Sequence, residues 1–242
     1  MVSRRRIWTG SAALFAGLLA LTYAQAAGPL ADGAYKKVID ADIAALNTLL
    51  NNGKPDKGAS STVKPLAILI ALNAKYAGKD GIAAAAVKVA EAAAKKDWAT
   101  ATATAKTLAT ASGGTAPGEL YKLAKLDLAD VMSPFRLSKN GGLNIEKDIR
   151  EGKKAGTIAP DAALLIAARA AAIADLTYHF PVDKAASGAN AAKWKKYTDT
   201  MLEVSKQIAT EASKPKADPK ALGKLLGGLD GSCIGCHNDF RD

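Results

Sequence analysis

Apolar residues recur every three or four positions along most of the chain, which predicts an all-α fold. Val38, Ile39 and Ile43, for example, fall on one side of a helix. No sustained two-residue alternation, the pattern of a half-buried strand, interrupts this period. The expected helices cover 34–52, 62–76, 81–111, 119–135, 160–178, 190–213 and 219 to the end.

Several breaks divide this helical pattern. Asp97 is a good N-cap, so the stretch 81–111 is expected to be two helices. Pro134 should kink or end the helix that contains it. The segment 138–157 is polar and rich in glycine, and we interpret it as a long loop. The chain then contains about eight helices in two groups of four.

The two groups resemble each other in sequence, which favours an internal duplication. "AYKKVIDADIAALNTLL" opens the first group and "LYKLAKLDLADVMSPF" opens the second. We therefore predict two tandem units, each like a four-helix bundle. The predicted domain order is a signal peptide over 1–26, a helical domain over 27–112, a linker over 113–118 and a second bundle over 119–242.

The amino-terminal segment has the three parts of a secretory signal peptide. Three arginines at 4–6 precede a short apolar run over 12–21, and small residues at 24 and 26 form a cleavage site. The apolar run is shorter than the roughly 20 residues of a membrane span. We expect a periplasmic protein with no stable membrane span after cleavage.

The chain is basic, and its charge is scattered. Its net charge of +10 falls to +7 when the three arginines of the signal peptide are removed. A basic exported protein suits an acidic partner or an anionic surface. Because the cations form no continuous run, the sequence argues against a nucleic-acid partner.

The clearest chemical motif is "CIGCH" at the carboxyl end, which contains both cysteines of the chain. Cys-x-x-Cys-His is the attachment pattern of c-type haem. Positions three and four apart share one face of a helix. Cys233 and Cys236 can then form thioethers to the two vinyl groups of one haem, and His237 can bind the iron. The expected cofactor is one covalent haem c.

Three other interpretations of the motif are weaker. A thioredoxin-like redox pair belongs to an α/β context, which this sequence does not predict. A zinc site needs a fourth ligand, and the remaining histidine is His179. A structural disulfide is the default for an exported protein, but it leaves His237 unexplained.

The final helix carries a continuous apolar stripe into the motif. The stripe consists of Leu222, Leu225, Leu226, Leu229, Cys233, Cys236, His237 and Phe240. A second row, of glycines four residues apart, runs beside it at 223, 227, 231 and 235. Each glycine inside a helix costs roughly 1 kcal/mol relative to alanine. The row therefore indicates a close approach by a neighbouring helix or by the porphyrin.

The motif at the end of a four-helix group, with Phe240 and Arg241 behind it, resembles the cytochrome c′ superfamily over residues 119–242. The resemblance implies a four-helix bundle with His237 as the proximal iron ligand. It also implies that Arg241 lies near the proximal face of the haem. The alternative for Arg241 is a cation that interacts favourably with the carboxyl end of the helix dipole. The amino-terminal half has no haem residues, which departs from that family.

The sixth iron position separates the candidate functions. In the resembling family the first helix of the bundle supplies this residue, which points to Met132. Ligation by the Met132 sulfur implies an electron carrier between periplasmic redox proteins. If Met132 only fills the core, a five-coordinate iron would bind a small gas such as NO or CO. Met201 and His179 are weaker candidates for the same position.

An enzymatic role is not expected, since no pair of carboxylates or histidines stands out for acid–base work. A peroxidase-like activity is the minor alternative. The sequence leaves the choice between a monomer and a homodimer open. Because members of the resembling family pair through two helices, the amino-terminal half is a candidate for a fused pseudo-partner.

Overall fold

The computed structural model describes residues 30, 32–51, 55–115, 118, 120 and 126–240. These ranges contain helices and irregular segments and no β-strand, which confirms the all-α prediction. The described helices are α1 (Asp32–Leu50), α2 (Lys57–Tyr76), α3 (Asp80–Ala94), α4 (Trp98–Thr107), α5 (Leu128–Val131), α6 (Ile145–Ala155), α7 (Pro160–His179), α8 (Gly188–Ala212) and α9 (Pro219–Phe240). The predicted signal peptide, part of the predicted linker and Arg241 lie outside the described residues.

The first four helices pack in a ring. α1 contacts α2 and α4, and α3 contacts α2 and α4. The predicted break between α3 and α4 is confirmed, because a carboxylate oxygen of Asp97 accepts a hydrogen bond of 3.1 Å from the backbone N–H of Thr100. An N-cap of this kind satisfies one of the N–H groups that a helix start leaves unpaired.

The start of the second half differs from the prediction. Leu120 is helical and 121–125 lie outside the described residues, but 126 and 127 are not helical, so the predicted helix over 119–135 is interrupted there; α5 and a 3₁₀ turn over Ser133–Phe135 follow. Asp127 has an extended backbone and caps α5 by accepting from the N–H of Asp130 at 2.7 Å. A local cap and a nearby proline limit this helix to one turn, although its apolar spacing suits a longer one.

The predicted loop over 138–157 is also partly wrong, because it contains α6. Ile145, Ile149 and Gly152 are the buried residues of α6, and they recur at helical spacing. Its other positions are mostly charged. We therefore interpreted the segment as polar and did not recognise its narrow apolar stripe. Gly156, with a φ of +68°, ends the helix in the left-handed conformation that glycine adopts readily.

The helices α6, α7 and α8 pack against α9, which carries the carboxyl-terminal motif. α9 packs between α6 and α8, and α8 packs along α7. One hydrophobic cluster extends from α1 through α7 to α9, so the two halves share a core. The division into two separate bundles stays a prediction.

Two polar contacts, one buried and one partly buried, join the halves through α7. Arg169 Nε lies 2.7 Å from Asp42 Oδ1, and the Asp42 side chain is fully buried. Burial raises the pKa of Asp42, and the Arg169 charge partly offsets this effect. The Tyr76 hydroxyl donates to Asp175 Oδ2 at 2.7 Å. The position of α7 against the first half is therefore set by specific hydrogen bonds as well as by apolar packing.

A proline inside α2 creates a third connection. Pro65 has no N–H, so it cannot bond the carbonyl of Ser61 four residues earlier. The Ser133 hydroxyl donates to that carbonyl at 3.2 Å. Ser133 is fully buried, and the contact fixes the segment that contains Met132 against the first half.

One described helix, α7, is long and apolar enough to cross a membrane by length and composition. We expected no stretch of the mature chain to be apolar enough to span a membrane, and α7 departs from that expectation in length and composition. Within its apolar window, 67% of the residues are buried inside the protein. Core helices of soluble proteins can have the same length and apolar composition.

Candidate functional site

Cys233, Cys236 and His237 line one cavity of about 460 Å³. This volume lies within the roughly 300–1,000 Å³ typical of small-molecule sites. The walls come from α6, α8, α9, the end of α7 with Val182 beyond it, and the segment from α5 to Arg136 after the following 3₁₀ turn. The cavity is partly open to solvent, and Ile234 is 43% exposed beside the two cysteines.

The helix α9 brings the motif to the cavity by its regular spacing. Leu222, Leu226 and Leu229 are fully buried in the core on one face. The same face continues one turn later at Cys233 and Cys236, which are half-buried. Residues four apart lie nearly above one another on a helix, so the core contacts of the leucines fix the direction of the two thiols.

Both thiols are unbridged, and their surroundings keep them protonated. Burial raises the pKa of Cys233 to about 11 and that of Cys236 to about 11. Redox-active cysteine pairs have a lowered thiol pKa instead, because the thiolate is their nucleophile. The chemistry of these two thiols therefore does not favour the thioredoxin-like interpretation.

Two of the three residues considered for the distal iron position share this cavity. Met132, which caps the end of α5, and Met201, on α8, both line it. Met201 is 7% exposed and packs in the main core. His179 is exposed at the end of α7 and is not among the lining residues. The structure thus brings both methionines, but not His179, to the cysteines.

Aromatic side chains close one end of the cavity. The rings of Phe240 and Trp194 meet edge to face with centroids 5.1 Å apart. Trp194 Nε1 donates to the backbone carbonyl of Thr177 at 3.1 Å, which ties α8 to α7. Tyr197 lies over the same Phe240 ring at 6.4 Å and donates its hydroxyl to Asp239 at 3.0 Å. Phe240 therefore serves as a packing centre for the end of α9.

A charged network that the sequence reasoning missed also lines the cavity. Asp230, whose side chain is 8% exposed, lies 2.6 Å from Lys153 Nζ and 3.9 Å from Arg150 Nε. Arg150 also pairs with Glu146 at 2.7 Å. The sequence signal for this network was that Asp230 stands three residues before Cys233 on the same helix. Its partners lie on α6, which had been interpreted as a loop.

The residues of the cavity fit a haem group. Two half-buried thiols and an imidazole lie on one helix, thioethers of two methionines line the same space, and most of the wall is apolar. Arg136 and Arg150 also line it, and guanidinium groups are suited to carboxylates. Among the described residues, no group of three or more His, Cys, Asp or Glu is arranged to hold a metal ion by itself.

Comparisons with known proteins give this chain no family. No family model matches it, and no significant match occurs among the curated proteins or the solved structures. The function proposed below therefore depends on the motif and on the residues that share its cavity.

Proposed function

We propose that this chain is an exported c-type cytochrome with one haem, attached through Cys233 and Cys236, and that it transfers electrons between periplasmic redox proteins. The observation that carries the proposal is the common cavity of Cys233, Cys236, His237 and Met132. The arginines and the cleavage site of the amino-terminal segment support export. Bound haem would supply reversible one-electron chemistry at its iron.

Attachment needs two free thiols on one helix face, and the motif supplies them. Cys233 and Cys236 would hold the haem through two thioethers, each from the addition of one S–H across one vinyl double bond, with sulfur on the inner carbon and the proton on the terminal carbon. Such an addition is redox-neutral and would need no external oxidant. A thiol already engaged in a disulfide could not react in this way, so the unbridged state of Cys233 and Cys236 is the competent one.

Two of these residues would hold the iron. His237, four residues after Cys233, is the proposed proximal ligand, and Met132 is the proposed distal ligand. The hydrogen bond from Ser133 to the Ser61 carbonyl holds the Met132 segment in place. Phe240 supports this end of α9 through its ring contact with Trp194. Arg241, at the proximal side by the family resemblance, lies outside the described residues.

The test is to produce the full chain in a periplasm that contains cytochrome c maturation machinery. We expect a coloured protein that retains haem after denaturation, and a C233A/C236A variant that does not. A colourless mature protein with the mass of its amino acids alone would contradict the proposal.

The distal ligand is tested by replacing each cavity methionine in turn. Met132→Ala should convert a low-spin spectrum to a high-spin one and open the iron to CO, whereas Met201→Ala should leave the spectrum low-spin. The opposite pattern would assign the distal ligand to Met201. Optical spectra of the reduced proteins, recorded with and without CO, make the comparison.

A five-coordinate haem protein that binds a small gas such as NO or CO is the second candidate. Its supporting observation is that Met132 packs against the hydrophobic core, as a methionine does when it only fills space. In this case the wild-type protein is high-spin and takes up CO, and Met132→Ala leaves its spin state unchanged. A haem-dependent peroxidase remains the minor alternative, since the sequence supplies no distal acid–base pair.

A further inference from the structure

Among the described residues, four that line the cavity carry a carboxylate or a guanidinium group, and they differ in burial. Arg136 and Arg150 are exposed, and Glu146 is partly exposed. Asp230 is the buried one, with its side chain 8% exposed. Solvent and salt screen a buried charge less than an exposed one. Asp230 should therefore have the largest electrostatic effect of the four on a group bound in the cavity.

The cation that compensates Asp230 lies behind the cavity wall. Lys153 Nζ is 2.6 Å from Asp230 Oδ2, and the Lys153 side chain is 48% exposed. Asp230 belongs to the lining residues that the structure describes, whereas Lys153 does not. A second cation, Arg150, is 3.9 Å from Asp230 and is engaged by Glu146 at 2.7 Å. The pair of Asp230 and Lys153 therefore places its negative end at the cavity.

The charge of Asp230 reaches the groups of the motif. Asp230 precedes Cys233 by three residues, so both lie on one side of α9. Burial is the largest cause of the raised pKa of Cys233, and the Asp230 carboxylate raises this pKa further. A negative charge that disfavours a thiolate at this place favours a positive charge there.

The packing of α6 on α9 does not depend on this ion pair alone. Ile145 and Ile149 of α6 are buried, and a Cβ on Gly152 would lie 2.5 Å from Leu226 Cδ1 of α9. Apolar contact thus holds the two helices close together. Apolar residues of similar volume often stabilise a protein as well as a buried ion pair does. The buried carboxylate therefore points to a role other than joining the helices.

We infer that Asp230 lowers the midpoint potential of a haem bound in this cavity, because its buried charge stabilises the oxidised state. This inference rests on the proposed function. When haem iron passes one electron to a redox partner, Fe(II) becomes Fe(III) and the site gains one positive charge. A buried negative charge beside the site favours this change. Asp230 acts through its charge and is not an iron ligand.

The test measures midpoint potentials of the full mature chain with haem attached, by redox titration with optical detection. Asp230→Asn removes the negative charge, Lys153→Met removes the compensating cation, and a double variant removes both. Asp199→Asn is the matched control. Asp199 forms an ion pair with Lys195 on the surface of α8, and the two side chains are 55% and 57% exposed.

We expect Asp230→Asn to raise the midpoint potential. At a fixed applied potential, the ratio of reduced to oxidised protein should increase about tenfold, the order expected for one charge at an effective dielectric constant of about 20. Lys153→Met should decrease this ratio by a smaller factor, because water screens the half-exposed Lys153. The double variant should lie between the two single variants, and Asp199→Asn should match the wild type. The Asp230→Asn shift should persist in about 0.5 M salt.

The sign of the shifts separates a charge effect from a loss of packing. Loosening of α6 from α9 would admit water to the haem and move both single variants in the same direction. Shifts of the same sign, or an unchanged potential in Asp230→Asn, would overturn the inference and leave the haem proposal intact. If Asp230→Asn does not fold, a potential in Lys153→Met that is raised or unchanged would overturn it. A colourless mature wild-type protein would overturn the proposed function and this inference with it.

Discussion

At the scale of single residues, the surroundings of the two thiols determine their reactivity. Cys233 and Cys236 are half-buried beside an apolar cavity, and removal from water disfavours the thiolate. The carboxylates of Asp230 and Asp239 add to this effect. The thiols are therefore slow to oxidise or alkylate until a reaction partner enters the cavity.

The haem-free folded chain should react with iodoacetamide at pH 8 about 100-fold more slowly than the same chain in urea, because burial raises the thiol pKa from 9.0 to about 11. The folded rate should rise about tenfold per pH unit up to pH 10, whereas the unfolded rate levels off near pH 9. Mass spectrometry of quenched samples measures both. If the folded and unfolded rates changed with pH in the same way, access of iodoacetamide to the thiols, and not their pKa, would limit the reaction.

The same pKa values predict a loss of stability in alkali. The folded chain holds the two thiol protons to a higher pH than the unfolded chain does. Stability is therefore fully present below about pH 9 and falls as the pH rises toward about 11. In urea titrations of the haem-free protein, a C233S/C236S variant should lose less stability over this range. Equal losses would assign the alkaline effect to other groups.

At the scale of one element, the four glycines of the row on α9 differ in how closely other residues approach them. A Cβ on Gly223 would lie 2.4 Å from the backbone of Gly156, and one on Gly235 would lie 2.6 Å from Tyr197 Cε1. A Cβ on Gly227 or Gly231 would meet nothing within 4 Å. The predicted close approach is thus real at both ends of the row and absent at the two glycines between them.

Gly223→Ala should destabilise the protein by roughly 1–3 kcal/mol, because the clash is with backbone that cannot rotate away. Gly227→Ala on the same helix should be neutral or stabilise by up to about 1 kcal/mol through helix propensity. Urea unfolding of the two variants measures the difference. Similar effects of both substitutions would contradict the packing of α9 against Gly156.

At the scale of the whole molecule, two ion pairs join α1 to α7 and differ in burial. Asp42 and Arg169 form the buried pair, with side chains 0% and 12% exposed. Lys37 and Asp161 form the exposed pair, with side chains 55% and 81% exposed. Removing one partner of a buried pair leaves an uncompensated charge in the core, whereas an exposed charge returns to water.

Arg169→Met should therefore cost about 3–5 kcal/mol in the free energy of unfolding, because it strands the Asp42 carboxylate. Lys37→Ala should cost about 0–1 kcal/mol. The double variant Asp42→Asn with Arg169→Met should recover part of the loss, since it removes the unpaired charge. Denaturant titrations provide all three values, and equal costs for the two single variants would refute this account of the interface.

The sequence alone determined the all-α fold class, and it predicted the chemistry at the carboxyl end that stays a proposal. The helical period and the helix caps depend on residues only a few positions apart. The cap at Asp97 and the leucine spacing of α9 could therefore be predicted from the sequence. The Cys-x-x-Cys-His spacing is local in the same sense. The prediction of one continuous helix over 119–135 was wrong at 126 and 127, because a local cap at Asp127 competes with the apolar spacing.

The composition of the cavity was decided only by the tertiary structure. Met132, Thr177 and Asp230 lie on three separate segments, and no local pattern states that they face one space. Packing of α6 and α8 on α9 brings them together, and α6 itself depends on this packing because its apolar stripe is narrow. Interactions between residues distant in sequence select one arrangement of helices among several that the local signals allow.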